Sequence, residues 1–338
     1  MTRTSSSSPL TETARASTRA AVTVNAARLR LLGRKVINAL IVLWGSATAA
    51  FVAQASLPGD RATVILNIRA GQAIERTPAE LAQINAQYGL HDPLVQQYFQ
   101  YIRGLFVGDL GVSYQQYRPV AQIIGEQLAP TLILTLTTIA LSWIIMIFWV
   151  TLTAGRGRRI SGFGSIVDTV TAGLPHYWLG IILLLVFALG LGWFPVIGGS
   201  GIQGLFLPAL TLAIPLAGFM GQATRTEFEN SLEQPFVLSA RMRGMGDLEV
   251  RLRHVLRHSV LPAVTLSGWA LGATISGAVI VETVFTRAGI GKVLTTAVNT
   301  QDLPVVTGIV VLIAALYVIA NLVVDVIYIL IDPRLRSA

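Results

Sequence analysis

His254 and His258 lie four residues apart in a stretch with helical spacing, an arrangement in which two imidazoles can share one zinc ion. A zinc protease of this type also carries a glutamate directly after the first histidine, and this sequence has none there. Cysteine is absent from the whole chain, which excludes thiolate metal sites and disulfides. We therefore predict no metal site on this chain.

Gly291-Lys292 is the only hint of a phosphate-binding loop. Thr286 stands where the first glycine of such a loop should be, and Val293 replaces its Ser or Thr. A phosphate loop needs both, because backbone N–H groups cradle the phosphates and the hydroxyl binds magnesium. We expect no cofactor on this chain and no ATPase activity of its own.

Three carboxylates, Asp168, Glu282 and Asp325, lie within or near apolar segments. Ionisable groups in a membrane are candidates for function by default, but these fall towards segment ends, which favours helix capping or subunit packing. An ion-gradient secondary transporter, the alternative from another class, predicts ionisable pairs near the midplane and an inverted repeat. Neither feature is evident in the sequence.

The composition identifies the setting of these residues. Of 338 residues, 53% are hydrophobic and 12% charged, with a mean hydropathy of +0.64, whereas soluble proteins carry about 25% charged residues. The formal net charge is +8, but the arginines cluster beside apolar blocks, where they set orientation. The sequence therefore predicts an all-α polytopic membrane protein in a lipid bilayer, with no nucleic acid as partner.

Six segments reach the roughly 20 apolar residues that a membrane span needs. They cover approximately residues 36–57, 130–154, 166–193, 205–224, 260–285 and 305–331. A signal peptide is the alternative for the first, since Ala53-Gln54-Ala55 resembles a cleavage site, but its apolar stretch is too long. In the third segment Gly173-Leu174-Pro175 predicts a kink.

The spans divide the chain into a disordered cytoplasmic tail (1–34), a first transmembrane helix (35–57), an extracytoplasmic segment (58–128), a five-helix core (129–331) and a cytoplasmic C-terminus (332–338). With the N-terminus inside, 18 of the 25 Lys and Arg residues face the cytoplasm. The positive-inside rule then predicts a multi-pass protein of the cell membrane with both termini cytoplasmic.

The extracytoplasmic segment carries its own helix signals. Thr77 and Glu80 form a predicted capping box for a helix over 78–88, and Gly89 can end it. A second helical pattern covers 93–106. We predict a helical segment between transmembrane helices 1 and 2.

A polar island at 225–258 interrupts the apolar core. Pro235 suits the first turn of a helix, and Gly244 can adopt the positive φ that ends it. Asp247 is then the predicted N-cap of a second, basic amphipathic helix. The pattern alone leaves two interpretations open, a helix lying on anionic lipid and a helix that docks on a soluble partner.

The order of several motifs resembles the permease subunits of binding-protein-dependent ABC importers, in the first-permease branch of the dipeptide, oligopeptide and nickel family. The motifs that carry the resemblance are Leu57-Pro58-Gly59-Asp60, Tyr88-Gly89-Leu90-His91-Asp92-Pro93, Gly108-Asp109-Leu110-Gly111, Arg118-Pro119, Phe236-Val237-Leu238-Ser239-Ala240-Arg241-Met242-Arg243-Gly244, Arg253-His254-Val255-Leu256-Arg257, Val281-Glu282-Thr283, Asp302-Leu303-Pro304 and Asp332-Pro333-Arg334. Leu238 departs from the broader importer signature, which has a glutamate there, and Ser239 replaces its first alanine.

The resemblance implies six transmembrane helices of the type I ABC importer permease kind and a subunit of an ATP-driven importer for di- or oligopeptides. Import of nickel or a metal chelate by the same machinery is the alternative. Implied partners are a second homologous permease, two cytoplasmic ABC ATPase subunits or domains that hold ATP and Mg, and an extracytoplasmic solute-binding protein.

The resemblance also implies roles for individual residues. The ATPase-coupling residues would be Phe236, Val237, Ser239, Ala240, Arg241, Arg243, Gly244 and Asp247. Among them Phe236, Val237 and Ala240 are expected to fill a groove on the ATPase, with Arg241 and Arg243 at its rim. The candidate binding-protein contacts are Asp60, Asp109 and Arg118, although part of the 58–128 segment could instead brace the spans.

Overall fold

The computed structural model describes residues 33–56, 60–72, 74–199 and 201–331, with side chains as far as 323. Every regular element within these ranges is a helix, and the one extended pairing there is a bridge between Val112 and Pro119. The predicted tail up to residue 32, the C-terminal residues 332–338 and the side chain of Asp325 lie outside this description.

The helices are numbered in chain order. They are α1 (Gly33–Ala55), α2 (Arg61–Ala70), α3 (Pro78–Tyr88), α4 (Leu94–Phe106), α5 (Val120–Thr153), α6 (Gly157–Ala172), α7 (His176–Leu183, continued by a π-helical stretch Leu184–Gly190), α8 (Gly201–Leu232), α9 (Pro235–Met242), α10 (Asp247–Val250, continued by a π-helical turn Arg251–Val255 and by Leu256–Ser259), α11 (Leu261–Val284), α12 (Ile290–Asn299) and α13 (Leu303–Ile331).

Five of these helices, α1, α5, α8, α11 and α13, are long and apolar enough to cross a membrane. A sixth span results if α6 and α7 are counted as one, because together they pass the same test. The two are bent by 100° at Gly173–Pro175, so the predicted kink is in fact a full break. Pro175 contributes to it, since its ring lacks the N–H that would continue the α6 hydrogen bonds.

The second span begins earlier than the apolar pattern predicts. Helix α5 starts at Val120, ten residues before the expected start at Pro130, and Pro130 lies inside it. The predicted boundary between the 58–128 segment and the core therefore falls within one continuous helix. Arg287 donates from Nη1 to the carbonyl of Pro130 at 2.8 Å, which ties this part of α5 to the turn after α11.

Helix α8 also exceeds its predicted bounds, because it continues from the apolar span to Leu232. The polar island was expected to begin at Arg225, but Arg225 is a buried residue of this helix. Its guanidinium pairs with Asp168 on α6, which allows this charge to be buried inside the bundle. The two short helices of the island therefore start only after Leu232.

The core lies where α8 packs against α5, α6 and α11. Small residues let the helix backbones approach closely, as membrane helices commonly do. A Cβ atom at Gly218 of α8 would stand 2.7 Å from the carbonyl oxygen of Asp168 on α6. This contact fixes the two helices side by side in the middle part of α8.

The 58–128 segment folds as the capping signals predict. Thr77 and Glu80 form the capping box of α3, and Gly89 ends it in the left-handed region at φ +60°. The hydrogen bonds from Thr77 lower the pKa of the Glu80 carboxyl, which keeps it ionised and able to accept. Helices α2 and α3 then enclose a small core with Tyr114.

Candidate functional site

The turn between α9 and α10 forms as predicted from its proline and glycine. Pro235 occupies the first turn of α9, and Gly244 has φ +82° just after the helix ends. The Gly244 N–H donates to the carbonyl of Arg241 at 2.9 Å, and that of Met245 donates to Ala240 at 3.4 Å. The two short helices are therefore joined by a left-handed glycine turn.

Asp247 is not the N-cap that the sequence predicts. The N-cap of α10 is Gly246, and Asp247 is the first helical residue. Its carboxylate instead accepts from the guanidinium groups of Arg156 at 3.2 Å, Arg241 at 3.2 Å and Arg251 at 2.9 Å. One carboxylate thus joins the turn after α5, helix α9 and helix α10.

The residues on the inward face of α9 were expected to fill a groove on the ATPase, but two of them are buried in this chain. Val237 and Ala240 are fully buried in the chain's own core, in a cluster that includes Val150 and Phe228. Phe236 is half-buried, with its ring 4.8 Å from that of His258. Val237 and Ala240 hold α9 on the bundle, so they cannot fill a groove on a partner.

The outward face presents different apolar residues. Leu238 is 65% exposed and Met242, one helical turn further on, is 82% exposed. Leu248 and Leu252 on α10 are exposed as well. We call these four residues the α9–α10 tip. Four exposed large hydrophobic side chains beside exposed arginines form a surface suited to a partner protein.

The predicted polar residues lie around this tip. Ser239, Arg241 and Arg243 are all exposed, and the Ser239 hydroxyl donates to the carbonyl of Pro235 at 3.1 Å. Arg241 is partly held by Asp247, whereas Arg243 follows the last residue of α9. The predicted rim is thus at the surface, although the apolar face beside it is made by other residues.

Arg251 fastens the basic helix α10 to the bundle. The charge pattern of the sequence does not show which arginine of this helix is buried. The Arg251 side chain is buried, and Nη1 donates to the carbonyls of Thr151 at 3.2 Å and Ala154 at 2.7 Å. These carbonyls lie at the end of α5, where a cation also interacts favourably with the helix dipole. The guanidinium further lies over the Phe228 ring, 5.8 Å from its centroid.

Glu229 near the end of α8 makes a second connection. Its carboxylate accepts from the Gly155 N–H at 3.1 Å and from the Ser161 hydroxyl at 2.5 Å. These donors belong to the turn after α5 and to the first turns of α6. The ends of α5 and α8 and the start of α6 are therefore joined by hydrogen bonds.

A buried ion pair lies deeper in the same region. Arg225 Nε is 2.7 Å from Asp168 Oδ2, and Arg225 Nη2 donates to the Thr153 hydroxyl at 2.8 Å. Space for the pair is provided by Gly164 and Gly221, where a Cβ atom would lie 2.8 Å from Arg225 and 2.9 Å from Asp168. The sequence indicated subunit packing or capping for Asp168, and the partner 57 residues away was missed.

The three candidate binding-protein contacts, at the opposite end of the bundle, each bind a residue close to them in the sequence. Asp60 caps α2 and accepts from the Thr63 N–H at 3.0 Å, and Asp109 accepts from the Gly111 N–H at 2.9 Å. Arg118 forms an ion pair with Glu126. Within the residues that the structure describes, none of the three contacts another. Their role as binding-protein contacts stays a prediction.

Asp302 was missed as an organising residue of that end. It is buried, and its carboxylate accepts from the Ser113 hydroxyl at 2.5 Å and from the Tyr114 N–H at 3.0 Å. It thereby fixes the turn before α5 to the start of α13. The one signal in the sequence was that Asp302-Leu303-Pro304 is among the motifs that carry the family resemblance.

The sequence singled out Glu282 but did not predict its contacts, which make it a packing residue inside the chain. Its carboxylate is fully buried and accepts from the Thr131 hydroxyl at 2.6 Å and from the Gly291 N–H at 2.8 Å. A Cβ atom at Gly289 would collide with this carboxylate, and one at Gly291 would lie 2.3 Å from the Cα atom of Val279, so both positions require glycine. The carboxylate joins α5, α11 and the start of α12 within this chain, whereas the predicted subunit packing concerns a second chain and stays a prediction.

Comparison with known proteins covers nearly all of the chain. Residues 148–337 match the family described as binding-protein-dependent transport system inner membrane component. Residues 28–135 match the corresponding N-terminal family of such membrane components.

Similar proteins include the glutathione transport system permease protein GsiC of Salmonella paratyphi A, 33% identical over 310 residues, which are 91% of this chain and 97% of that protein. The protein of the same name from Escherichia coli is 34% identical over 281 residues, 83% of this chain and 90% of that protein.

Proposed function

This chain belongs to the family of inner membrane components of binding-protein-dependent transport systems, and we propose that its α9–α10 tip docks on the ATPase that drives import. The chain itself is a multi-pass membrane permease subunit of an ABC importer, and ATP is hydrolysed by a partner. The tip is then the surface through which the permease and that partner are coupled.

The exposed apolar tip is the observation that carries the coupling proposal. Leu238 and Met242 project from α9, and Leu248 projects from the adjacent α10. An amphipathic helix lying in a partner's groove uses apolar anchors at i and i+4, which is the spacing of Leu238 and Met242. Arg241 and Arg243 flank the anchors and would form the polar rim.

Rigid connections to the bundle support the same proposal. Helix α9 is held from inside by Val237 and Ala240, and α10 is held by Arg251 on the end of α5. A partner that pushes on the tip therefore moves a body that is fixed to α5, α6 and α8. The alternative of a helix lying on anionic lipid does not require these buried connections.

We further propose that the tip faces the cytoplasm, with both termini on the same side. The excess of Lys and Arg around 156–159 and 241–257 supports this orientation. The 58–128 segment then faces outward, where a solute-binding protein would meet it. A second, homologous permease would complete the pathway, and two ATPase subunits or domains with ATP and Mg would complete the importer.

For the substrate we propose small peptides. The relatives are named for transport of glutathione, which is a tripeptide, and they align with this chain over nearly its whole length. Nickel or a metal chelate remains the alternative within the same machinery. An ion-gradient transporter disagrees with the family membership, since such a protein works without an ATPase.

The experiment is reconstitution of the purified complex in proteoliposomes with ATP inside and the solute-binding protein outside. Uptake of a labelled tripeptide that depends on ATP and on the binding protein is expected. Uptake of nickel without peptide uptake would overturn the substrate proposal. Peptide uptake without an ATPase subunit would overturn the coupling proposal.

A further inference from the structure

Helix α4, in the segment between the first two spans, carries an apolar stripe that the other described residues of the chain leave uncovered. Val95, Phe99 and Phe106 follow the i, i+4, i+11 spacing of one helix face, and all three are more than half exposed. Gln96, Gln100 and Arg103 occupy the other exposed arc of the helix. Helix α4 is thus amphipathic on the side that faces away from the protein.

The protected side of α4 packs on α1, which is a membrane span. The Tyr98 hydroxyl lies 2.8 Å from the Thr48 hydroxyl. The Phe51 ring is 5.3 Å from the Tyr98 ring and 5.6 Å from the Tyr101 ring. These contacts fix where along α1 the helix lies.

That position gives the depth of α4 relative to the bilayer. Helix α1 ends at Ala55, so Phe51 and Thr48 lie about 6 and 10 Å before its end at a rise of 1.5 Å per residue. The 23 residues of α1 extend about 35 Å, a little more than a hydrocarbon core of about 30 Å. With α1 centred on that core, Phe51 lies about 4 Å and Thr48 about 8 Å inside its edge, so Tyr98 and Tyr101 meet α1 on the acyl-chain side of the boundary with the headgroups.

We propose that α4 is an interfacial membrane helix, with Val95, Phe99 and Phe106 inserted among the acyl chains of the leaflet on its side of the membrane. Helices of this type bury their apolar face about 5–10 Å into the boundary region, which is the depth that the α1 contacts give. Tyrosines at the same level agree with the aromatic belts of membrane proteins.

Lipid is the occupant that the surroundings favour over a protein partner. Val52 of α1, next to Phe51, is exposed, so the lipid-facing surface of the span continues onto α4. Arg103 is the only cation of α4, so insertion depends on apolar burial and does not require anionic headgroups. The helix would hold the 58–128 segment against the bilayer while its remaining surface stays open to partners.

This chain has no cysteine, so single spin labels can be placed in it and tested in the complete complex, assembled with cysteine-free partner subunits in phosphatidylethanolamine and phosphatidylglycerol nanodiscs. Val95→Cys, Phe99→Cys and Phe106→Cys carry the label on the apolar stripe. Gln96→Cys, Gln100→Cys and Arg103→Cys are matched controls on the polar arc of the same helix. Collision with oxygen reports lipid, and collision with a water-soluble nickel chelate reports water.

We expect the stripe labels to collide mainly with oxygen and the control labels mainly with the chelate. The ratio of the two collision rates should therefore rise and fall along α4 with the period of the helix. The pattern should persist in nanodiscs of phosphatidylcholine alone, since no anionic lipid is needed. Stripe labels protected from both reagents would mean that a protein covers α4, and stripe labels reached by the chelate would mean that the face lies in water. Either result overturns the proposal.

Discussion

The Arg251 guanidinium, from the helix that follows the glycine turn, lies 2.7 Å from the carbonyl oxygen of Ala154 at the end of α5. The same side chain is held by Asp247 and lies over Phe228 of α8. A single buried cation therefore joins the exposed tip to two membrane spans. If the ATPase docks on the tip as proposed, this is one of the connections through which a movement of the tip would reach the bundle.

Replacing this cation should separate ATP hydrolysis from transport. In Arg251→Met the carbonyls of Thr151 and Ala154 lose their charged donor, which we expect to cost about 1.5–3 kcal/mol at the joint between α10 and α5. The apolar tip remains intact, so the ATPase should stay bound. The measurement is the amount of peptide transported per ATP hydrolysed in proteoliposomes, which should fall severalfold.

Arg253→Met is the matched control for that variant. Arg253 is 73% exposed at its side chain and pairs with Glu249 on the same helix. Such surface pairs contribute about 0–1 kcal/mol, so its coupling ratio should stay near that of the wild type. Equal ratios in Arg251→Met and Arg253→Met would remove Arg251 from the transmission path.

The glycine turn provides a second prediction, based on backbone conformation alone. Gly244 has φ +82°, and a Cβ atom there would meet no heavy atom within 4 Å, so Gly244→Val introduces strain without a steric clash. A left-handed conformation costs an ordinary residue about 1–2 kcal/mol, and a β-branched residue suffers most. We expect the membrane complex of Gly244→Val to retain less ATPase after purification.

Two further variants test the cause of that loss. Gly246 is equally uncrowded but has φ −66°, so Gly246→Val loses only the N-cap preference for glycine and should retain more ATPase than Gly244→Val. Gly244→Asn should recover most of the loss, because asparagine adopts the left-handed region more readily. A similar loss in Gly244→Val and Gly246→Val would contradict the explanation.

Local signals in the sequence predict local structure well. The capping box at Thr77, the left-handed end at Gly89 and the glycine turn at Gly244 depend on neighbouring residues, and all three form as predicted. The spans follow from apolar length, since a membrane helix must satisfy its backbone internally. The exact ends of the spans do not follow, because α5 and α8 continue into polar sequence.

The failures share a cause, which is contact between residues distant in sequence. Arg225 can be buried inside α8 because its guanidinium pairs with Asp168, 57 positions away. The eight residues of α9 offer apolar side chains on both faces, so only the surrounding bundle decides that Val237 and Ala240 turn inward and Leu238 outward. Asp247 does not take its expected capping role because three arginines from three elements surround its carboxylate.

The buried pair Asp168–Arg225 allows a stability prediction. Asp168→Asn leaves the Arg225 guanidinium buried without its counter-charge, and removal of one partner of such a pair costs about 3–5 kcal/mol. A double variant, Asp168→Leu with Arg225→Met, removes both charges and should be closer to the wild type. Thermal unfolding of the complex in nanodiscs measures the difference. A double variant less stable than Asp168→Asn would contradict this role of the pair.

At the opposite end of the bundle, a variant of Asp302 tests a structural role and a variant of Asp109 tests recognition of the binding protein. Asp302→Asn loses a charged acceptor for the Ser113 hydroxyl, so the turn at 113–118 should become more susceptible to limited proteolysis. Asp109→Asn keeps an acceptor for the Gly111 N–H, so it should fold normally. If Asp109 contacts the binding protein, this variant should bind it more weakly, and unchanged binding would remove Asp109 from that interface.

The apolar tip gives the prediction on docking. Leu238→Asp combined with Met242→Asp places two charges where α9 presents its exposed apolar anchors. We expect the permease to insert normally but to lose the ATPase during purification, because truncation or charge at a central anchor typically costs at least about 2 kcal/mol. Ser239→Asp, on the exposed surface between them, should have a smaller effect.

The most direct test is labelling of Met242→Cys by a membrane-impermeant maleimide, which the absence of native cysteine in this chain makes specific within it. We predict no labelling in intact cells, labelling after permeabilisation when the ATPase is absent, and protection when the ATPase is present. Labelling in intact cells, or equal labelling with and without the ATPase, would contradict the claim that this tip is the cytoplasmic docking surface.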